Sequence, residues 1–162
     1  MSDDTGSKVL VLGLGNDVLT DDAIGLQVVR QLRGQLAGDP GIDFCETTEM
    51  GLALLDQITG YRAVVIVDSV QTGQGAPGFV HEVDGASLAS LSGGTPHFLG
   101  VGETLALGRQ LDLPMPKVVK VFAIEVADPY TLSTEMTPAL RAALPRITEQ
   151  IANEAGRMAQ SE

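Results

Sequence analysis

Residues 8–25 read KVLVLGLGNDVLTDDAIG: a short apolar run, a glycine turn, and a helix that opens on two aspartates. Val9 to Leu12 is apolar without alternation, the pattern of a strand covered on both faces of a parallel sheet. Gly13-Leu14-Gly15 starts like a dinucleotide fingerprint, but Val18 stands where the third glycine of G-x-G-x-x-G belongs. Asp21 and Asp22 then occupy the helix start, where a phosphate site needs bare N–H groups and no competing negative charge. Carboxylates there repel phosphate and attract a cation. An N-cap role for Thr20 or Asp21 accounts for one acid and leaves the other over.

From Ala23 to Leu36, residues Ile24, Val28, Leu32 and Leu36 recur four apart with Val29 alongside, an apolar stripe that a helix lays on the sheet. Gly25 in the first turn lets helix and strand approach closely, and Gly38-Asp39-Pro40-Gly41 ends the helix. Ile42 to Cys45 reads as a second strand, followed by the polar loop Glu46-Thr47-Thr48-Glu49-Met50-Gly51 and a short helix from Leu52 to Ile58. The strongest strand signal is RAVVIVD, Arg62 to Asp68, whose apolar run stops at an aspartate. A carboxylate there sits at the C-terminal lip of a central strand, where open α/β sheets bind ligands.

Gln71 to Gly78 reads as a loop and Phe79 to Val83 as an antiparallel edge strand. Ser87 to Gly94 is small and polar, and His97 then stands just ahead of a helical pattern carrying Leu99, Leu105 and Leu111. Val118 to Ile124 is the last strand, with Glu125 at its lip. Thr137-Pro138 is an N-cap and N1 pair opening a helix with Leu140, Leu144, Ile147, Ile151, Ala155 and Met158 on one face, kinked at Pro145. This order predicts one three-layer α/β domain over residues 1–162, with residues 1–7 a flexible lead-in. Its twisted, mostly parallel sheet has about five strands between flanking helices and one antiparallel edge strand.

Composition narrows the function. A net charge of −11 and a pI near 4.4 argue against a nucleic-acid backbone or an anionic membrane surface as partner. The single cysteine, Cys45, allows no internal disulfide, and MSDDTGSK lacks the pattern of a signal peptide. No apolar run approaches a membrane span, so a soluble cytoplasmic protein is expected.

Three side chains fall at one sheet edge in this reading: Asp21 or Asp22, Asp68, and His97. Two oxygens and one nitrogen suit a borderline divalent metal such as Zn²⁺ or Ni²⁺, whereas Mg²⁺ takes oxygen alone. Each residue also has an ordinary role, as strand-end cap, surface turn residue or dipole partner. Ser69 lacks the G-x-S-x-G elbow of a nucleophile, and Cys45 lies inside a strand pattern as a buried, inert thiol. His81 alternates with apolar residues in the edge strand and is expected to be exposed.

The segments GLGNDVLTDDAIG, VDSVQTGQGAPG, TPHFLG and EMTPAL together resemble the [NiFe]-hydrogenase maturation endopeptidases, over nearly the whole chain. The resemblance implies a twisted sheet between helices and an endopeptidase that trims the C-terminal extension of a hydrogenase large subunit after nickel insertion. It places the metal ligands on Asp22, Asp68 and His97, leaving Asp21 as neighbour and N-cap candidate. Nickel would arrive with the precursor, Zn²⁺ or Cd²⁺ could occupy the site as a surrogate, and Asp22 or Asp68 would orient the attacking water. One departure stands out: where many members carry an aspartate followed by Gly-Gly-Thr, this chain has Glu46-Thr47-Thr48-Glu49, with Glu46 in place of the aspartate. Two other readings compete. One is a non-catalytic nickel carrier on the same fold; the other is a nucleoside-type hydrolase, disfavoured because no arginine or lysine is expected near the site.

Overall fold

Every residue of the first strand, β1 (Val9–Leu14), is buried, because helices cover both faces of the sheet it belongs to. The computed structural model describes residues 5–49, 51–85 and 96–160, the side chains of residues 5 and 96–99 excepted. After a 3₁₀ turn at Thr5–Ser7 come β1, a 3₁₀ turn at Thr20–Ala23, α1 (Ile24–Gln35), β2 (Ile42–Thr47) and α2 (Leu52–Ile58). Then follow β3 (Ala63–Val70), β4 (Val80–Asp84), α3 (Pro96–Gln110), β5 (Val118–Glu125) and α4 (Pro138–Gln160). The sheet order is β2-β1-β3-β5-β4, parallel throughout except for β4 against β5. This is the expected three-layer α/β architecture with an antiparallel edge strand.

The two covers follow from side-chain alternation. Val9, Val11, Val65 and Val67 face one core with Ile24, Val28, Val29 and Leu32 of α1 and Leu140, Ile147 and Ile151 of α4. Leu10, Leu12, Val64 and Ile66 face the other, with Leu54 and Ile58 of α2 and Val101 and Leu105 of α3. Each such side chain buried from water contributes about 1.5–3 kcal/mol before chain entropy is set against it. The stripes expected on α1 and α4 are the ones that pack.

Several boundaries differ from expectation, and pairing explains them. β3 does not stop at Asp68: it continues through Ser69 and Val70, which pair with Ile124 and Glu125 of β5. Pairing with β1 ends earlier, at Gly13 and Val67, so Asp68 is the first β3 residue beyond its neighbour's reach. β2 likewise runs on to Thr47, which brings Glu46 out of the expected loop and into register with Gly13. Leu111 falls outside α3, which ends at Gln110, and is 55% exposed. α4 runs without a break through the exposed Pro145. The polar stretch from Ser87 to Gly94 lies outside the described residues.

Glycines set how closely the first turn packs. A Cβ on Gly13 would stand 2.5 Å from the Gly25 carbonyl oxygen, and one on Gly25 would collide with the carbonyls of Leu14 and Val67. α1 therefore touches β1 and β3 backbone to backbone, and the aspartates ahead of it are pressed onto the sheet edge.

Candidate active site at the C-terminal lip

Asp21 and Asp22 lie in the 3₁₀ turn ahead of α1, and both are buried. Their environments are opposite. Asp21 is fully enclosed, and its carboxylate accepts the backbone N–H groups of Ala127 at 3.1 Å, Asp128 at 2.9 Å and Thr137 at 2.8 Å. The Thr137 hydroxyl donates to it as well. Asp21 thus does not cap its own turn, whose N-cap is Leu19 without a side-chain bond. It fastens the segment between β5 and α4 instead. That segment is also held by the Thr20 and Asp21 N–H groups, which donate to the carbonyls of Thr131 and Asp128.

Asp22 is 6% exposed, and its Oδ1 accepts the Ser69 hydroxyl at 2.7 Å. Its Oδ2 accepts no hydrogen bond from any described residue, although the residue is nearly removed from water. Asp68 is fully buried, and its Oδ1 accepts the Ser69 N–H at 2.8 Å. One residue, Ser69, therefore holds both acids, Asp22 through its hydroxyl and Asp68 through its backbone. Sequence reasoning weighed Ser69 only as a nucleophile; its role shows only once α1 and β3 meet.

His97 is the second residue of α3, at its N-terminal end. The other end of α3 packs at the start of β3, where Gly60 N–H donates to the Pro114 carbonyl and Gly108 closes on Met115 and Leu55. A helix anchored there points its N-terminus back toward the lip. α3 also stands on the face of β3 that carries Val64, Ile66 and, by alternation, Asp68. The backbone thus places His97 at the end of the helix on Asp68's side, while its side chain lies outside the described residues. Among the described side chains, no group of three His, Cys, Asp or Glu is spaced to hold a metal.

Other polar groups line the same lip. Glu125 is 2% exposed and receives the Thr72 N–H and hydroxyl and, at 2.8 Å, His81 Nε2. Burial alone would raise its pKa, but the Thr72 and His81 bonds outweigh it and hold the carboxyl below its ordinary value. His81 is therefore not the exposed strand residue expected: it is half-buried, bonded to Glu125 and edge-on to Phe79, with ring centroids 4.9 Å apart. An arginine does reach the β1–β2 side of the lip. Arg30 is bracketed by Asp17 at 2.7 Å and Glu46 at 2.7 Å, so its charge is already matched by carboxylates. With Thr47, Thr48 and Glu49 these residues line an open cleft of about 400 Å³. Cys45 is half-buried in β2, and burial pushes its thiol up against the pull of the Arg33 charge.

A sequence profile of hydrogenase maturation proteases (HycI) matches residues 26–154. The chain belongs to the hydrogenase maturation protease family. The hydrogenase 2 maturation protease of Escherichia coli K12 is 26% identical over 147 residues, covering 89% of this chain and 88% of its own. The solved structure of the hydrogenase maturating endopeptidase HybD from E. coli superposes with a TM-score of 0.73 at 25% identity, over 89% of each chain. The fold is shared by the [NiFe] hydrogenase maturation protease HybD of Thermococcus kodakarensis, with a TM-score of 0.69 at 24% identity over 91% of this chain and 99% of that one. This hydrogenase maturation protease is thus a peptidase, and the profile match includes Asp68 and His97 but begins four residues after Asp22.

Proposed function

We propose that this peptidase removes the C-terminal extension of a [NiFe]-hydrogenase large-subunit precursor after nickel insertion, and that Asp22, Asp68 and His97 recognise the nickel the precursor carries. The observation that carries the reading is the contrast between neighbouring aspartates. Asp21 has both oxygens engaged by protein donors, whereas Asp22, itself 6% exposed, keeps Oδ2 without a partner among the described residues. That oxygen is not sealed from solvent, so it stays open to a ligand entering the lip. With Asp68, held to the same Ser69, and with His97 as third ligand in this reading, the donor set is two oxygens and one nitrogen, which suits Ni²⁺ and accepts Zn²⁺ or Cd²⁺ as surrogate.

In this reading the enzyme uses no side-chain nucleophile. Ser69 is committed to Asp22 and the Cys45 thiol is raised, so water attacks the scissile carbonyl, oriented by Asp22 or Asp68. A nickel that must be present before the peptide is held in place makes cleavage a report of completed insertion. The substrate is a protein and not a small molecule, and the rim fits that: Val18, Leu52, Phe79, Tyr130 and Leu132 are all large, apolar and 51% exposed or more, on the loops and element ends surrounding the lip.

The test is single-turnover processing of nickel-loaded precursor by Asp22→Ala, Asp68→Ala and His97→Ala. Each is expected to lose at least about 100-fold in rate, the scale of losing a group that positions or activates the reacting atoms. Wild-type rates in all three would defeat the assignment. Stoichiometric retention of nickel-loaded precursor by the wild type, with no cleavage, would favour the carrier reading.

A further inference from the structure

The opposite end of the sheet carries a charge pattern that peptide cleavage at the lip does not use. Two adjoining clefts of about 200 and 230 Å³ share Asp84 and Val118. Their walls hold Arg62, Arg109, Lys117, Lys120 and Arg157, five of the chain's ten basic residues, against only Asp84 and Glu154 of its 21 acids. Lys120 and Arg157 are matched by Glu82 and Glu154. Arg62 donates only to the neutral carbonyls of Ser7 and Met158. Arg109 and Lys117 are exposed and make no ion pair among the described residues. Arg62, Arg109 and Lys117 thus gather without ion pairs among the described residues, beside Asp84 and the exposed Asp112, at one end of a chain whose net charge is −11.

Apolar surface adjoins them. Leu111, Leu113 and Val118, on the segment that carries Lys117 and follows Arg109, are 55%, 36% and 49% exposed. Cations beside exposed aliphatic side chains match a partner segment that presents carboxylates beside apolar residues. Elsewhere the acidic surface repels such a segment, so the field of the whole molecule turns it toward this end.

We propose that this basal face is an exosite that docks an acidic surface segment of the folded large-subunit precursor while its extension enters the lip. The proposal rests on the endopeptidase reading above. The two regions are separated by the length of β5, roughly 26 Å at about 3.3 Å per residue. A short peptide in the lip does not reach that far, but a folded domain does: about 100 residues already have a radius of gyration of about 13 Å. The exosite therefore distinguishes the folded precursor from its isolated tail.

The test compares Arg109→Gln/Lys117→Gln with Gln35→Glu/Gln150→Glu, which shifts net charge equally at exposed positions elsewhere. Substrates are the purified nickel-loaded precursor and a synthetic peptide covering its extension. At low salt the basal pair is expected to raise KM for the precursor about fivefold with kcat unchanged, and the difference vanishes in about 0.5 M salt. The control pair and the peptide should show no such effect. Equal KM for basal and control variants overturns the proposal, as does a wild type that self-associates through this face, shown by sedimentation, with precursor affinity unaffected. Titrating the precursor onto cleavage-silent Asp68→Asn, with and without the basal pair, measures docking alone. A fivefold weakening there supports the exosite even if wild type fails to cleave, whereas unchanged affinity defeats it whatever becomes of the endopeptidase reading.

Discussion

Replacing Asp21 by alanine removes the acceptor for three part-buried backbone N–H groups, those of Ala127, Asp128 and Thr137, and for the Thr137 hydroxyl. Each donor left unmatched away from water costs about 1–3 kcal/mol, and bonds to a charged acceptor lie at the upper end. Releasing a buried carboxylate from its desolvation penalty gives some of that back, and the 127–137 segment can partly open to water. A net loss of about 3–5 kcal/mol follows, a large share of the 5–15 kcal/mol typical of a domain and about 6–20 °C in Tm at this chain length. Asp22→Ala gives up one bond, from Ser69, and should cost no more than about 1.5–3 kcal/mol. Urea unfolding followed by circular dichroism measures both. The reasoning is refuted if Asp21→Ala lies within about 1 kcal/mol of wild type, or if Asp22→Ala is the more destabilised of the two.

Other substitutions address neighbouring links. Gly25→Ala drives a methyl into the carbonyls of Leu14 and Val67, and should destabilise by about 3 kcal/mol or more, read as a fall in urea midpoint at unchanged slope. Ser69→Ala frees Asp22 without emptying the core, so kcat for nickel-loaded precursor should fall about tenfold while Tm drops by less than about 6 °C. Glu125 has a folded pKa below its ordinary 4.5, so its stabilisation is complete above that value and is lost as pH falls through the lower folded pKa. Acid unfolding of Glu125→Gln should accordingly show a shallower pH dependence below about pH 5 than wild type.

The fold was legible where the core is built by repetition. The unbroken Val64–Val67 run and the spacing of Ile24, Val28 and Leu32 each state a burial pattern, and each packs as that pattern requires. Strand ends were less legible, because they depend on a neighbour's length: β3 extends past Asp68 only because β5 continues alongside to Glu125. The acidic pair shows the same limit at the site. Asp21 and Asp22 are adjacent and chemically identical, and only the arrival of residues 127–137 from the far end of the chain separates an enclosed tie from a carboxylate with an open oxygen. His81 was misplaced for a related reason. Alternation put it on an edge strand, but burial came from Glu125 and Phe79, which no local pattern connects to it.

Mass spectrometry of the large subunit, after incubating the protein with matched nickel-loaded and nickel-free precursor, tests the central claim most directly. The account predicts loss of the C-terminal peptide from the nickel-loaded precursor and an intact mass for the nickel-free one. Equal cleavage of both would contradict nickel recognition by Asp22, Asp68 and His97.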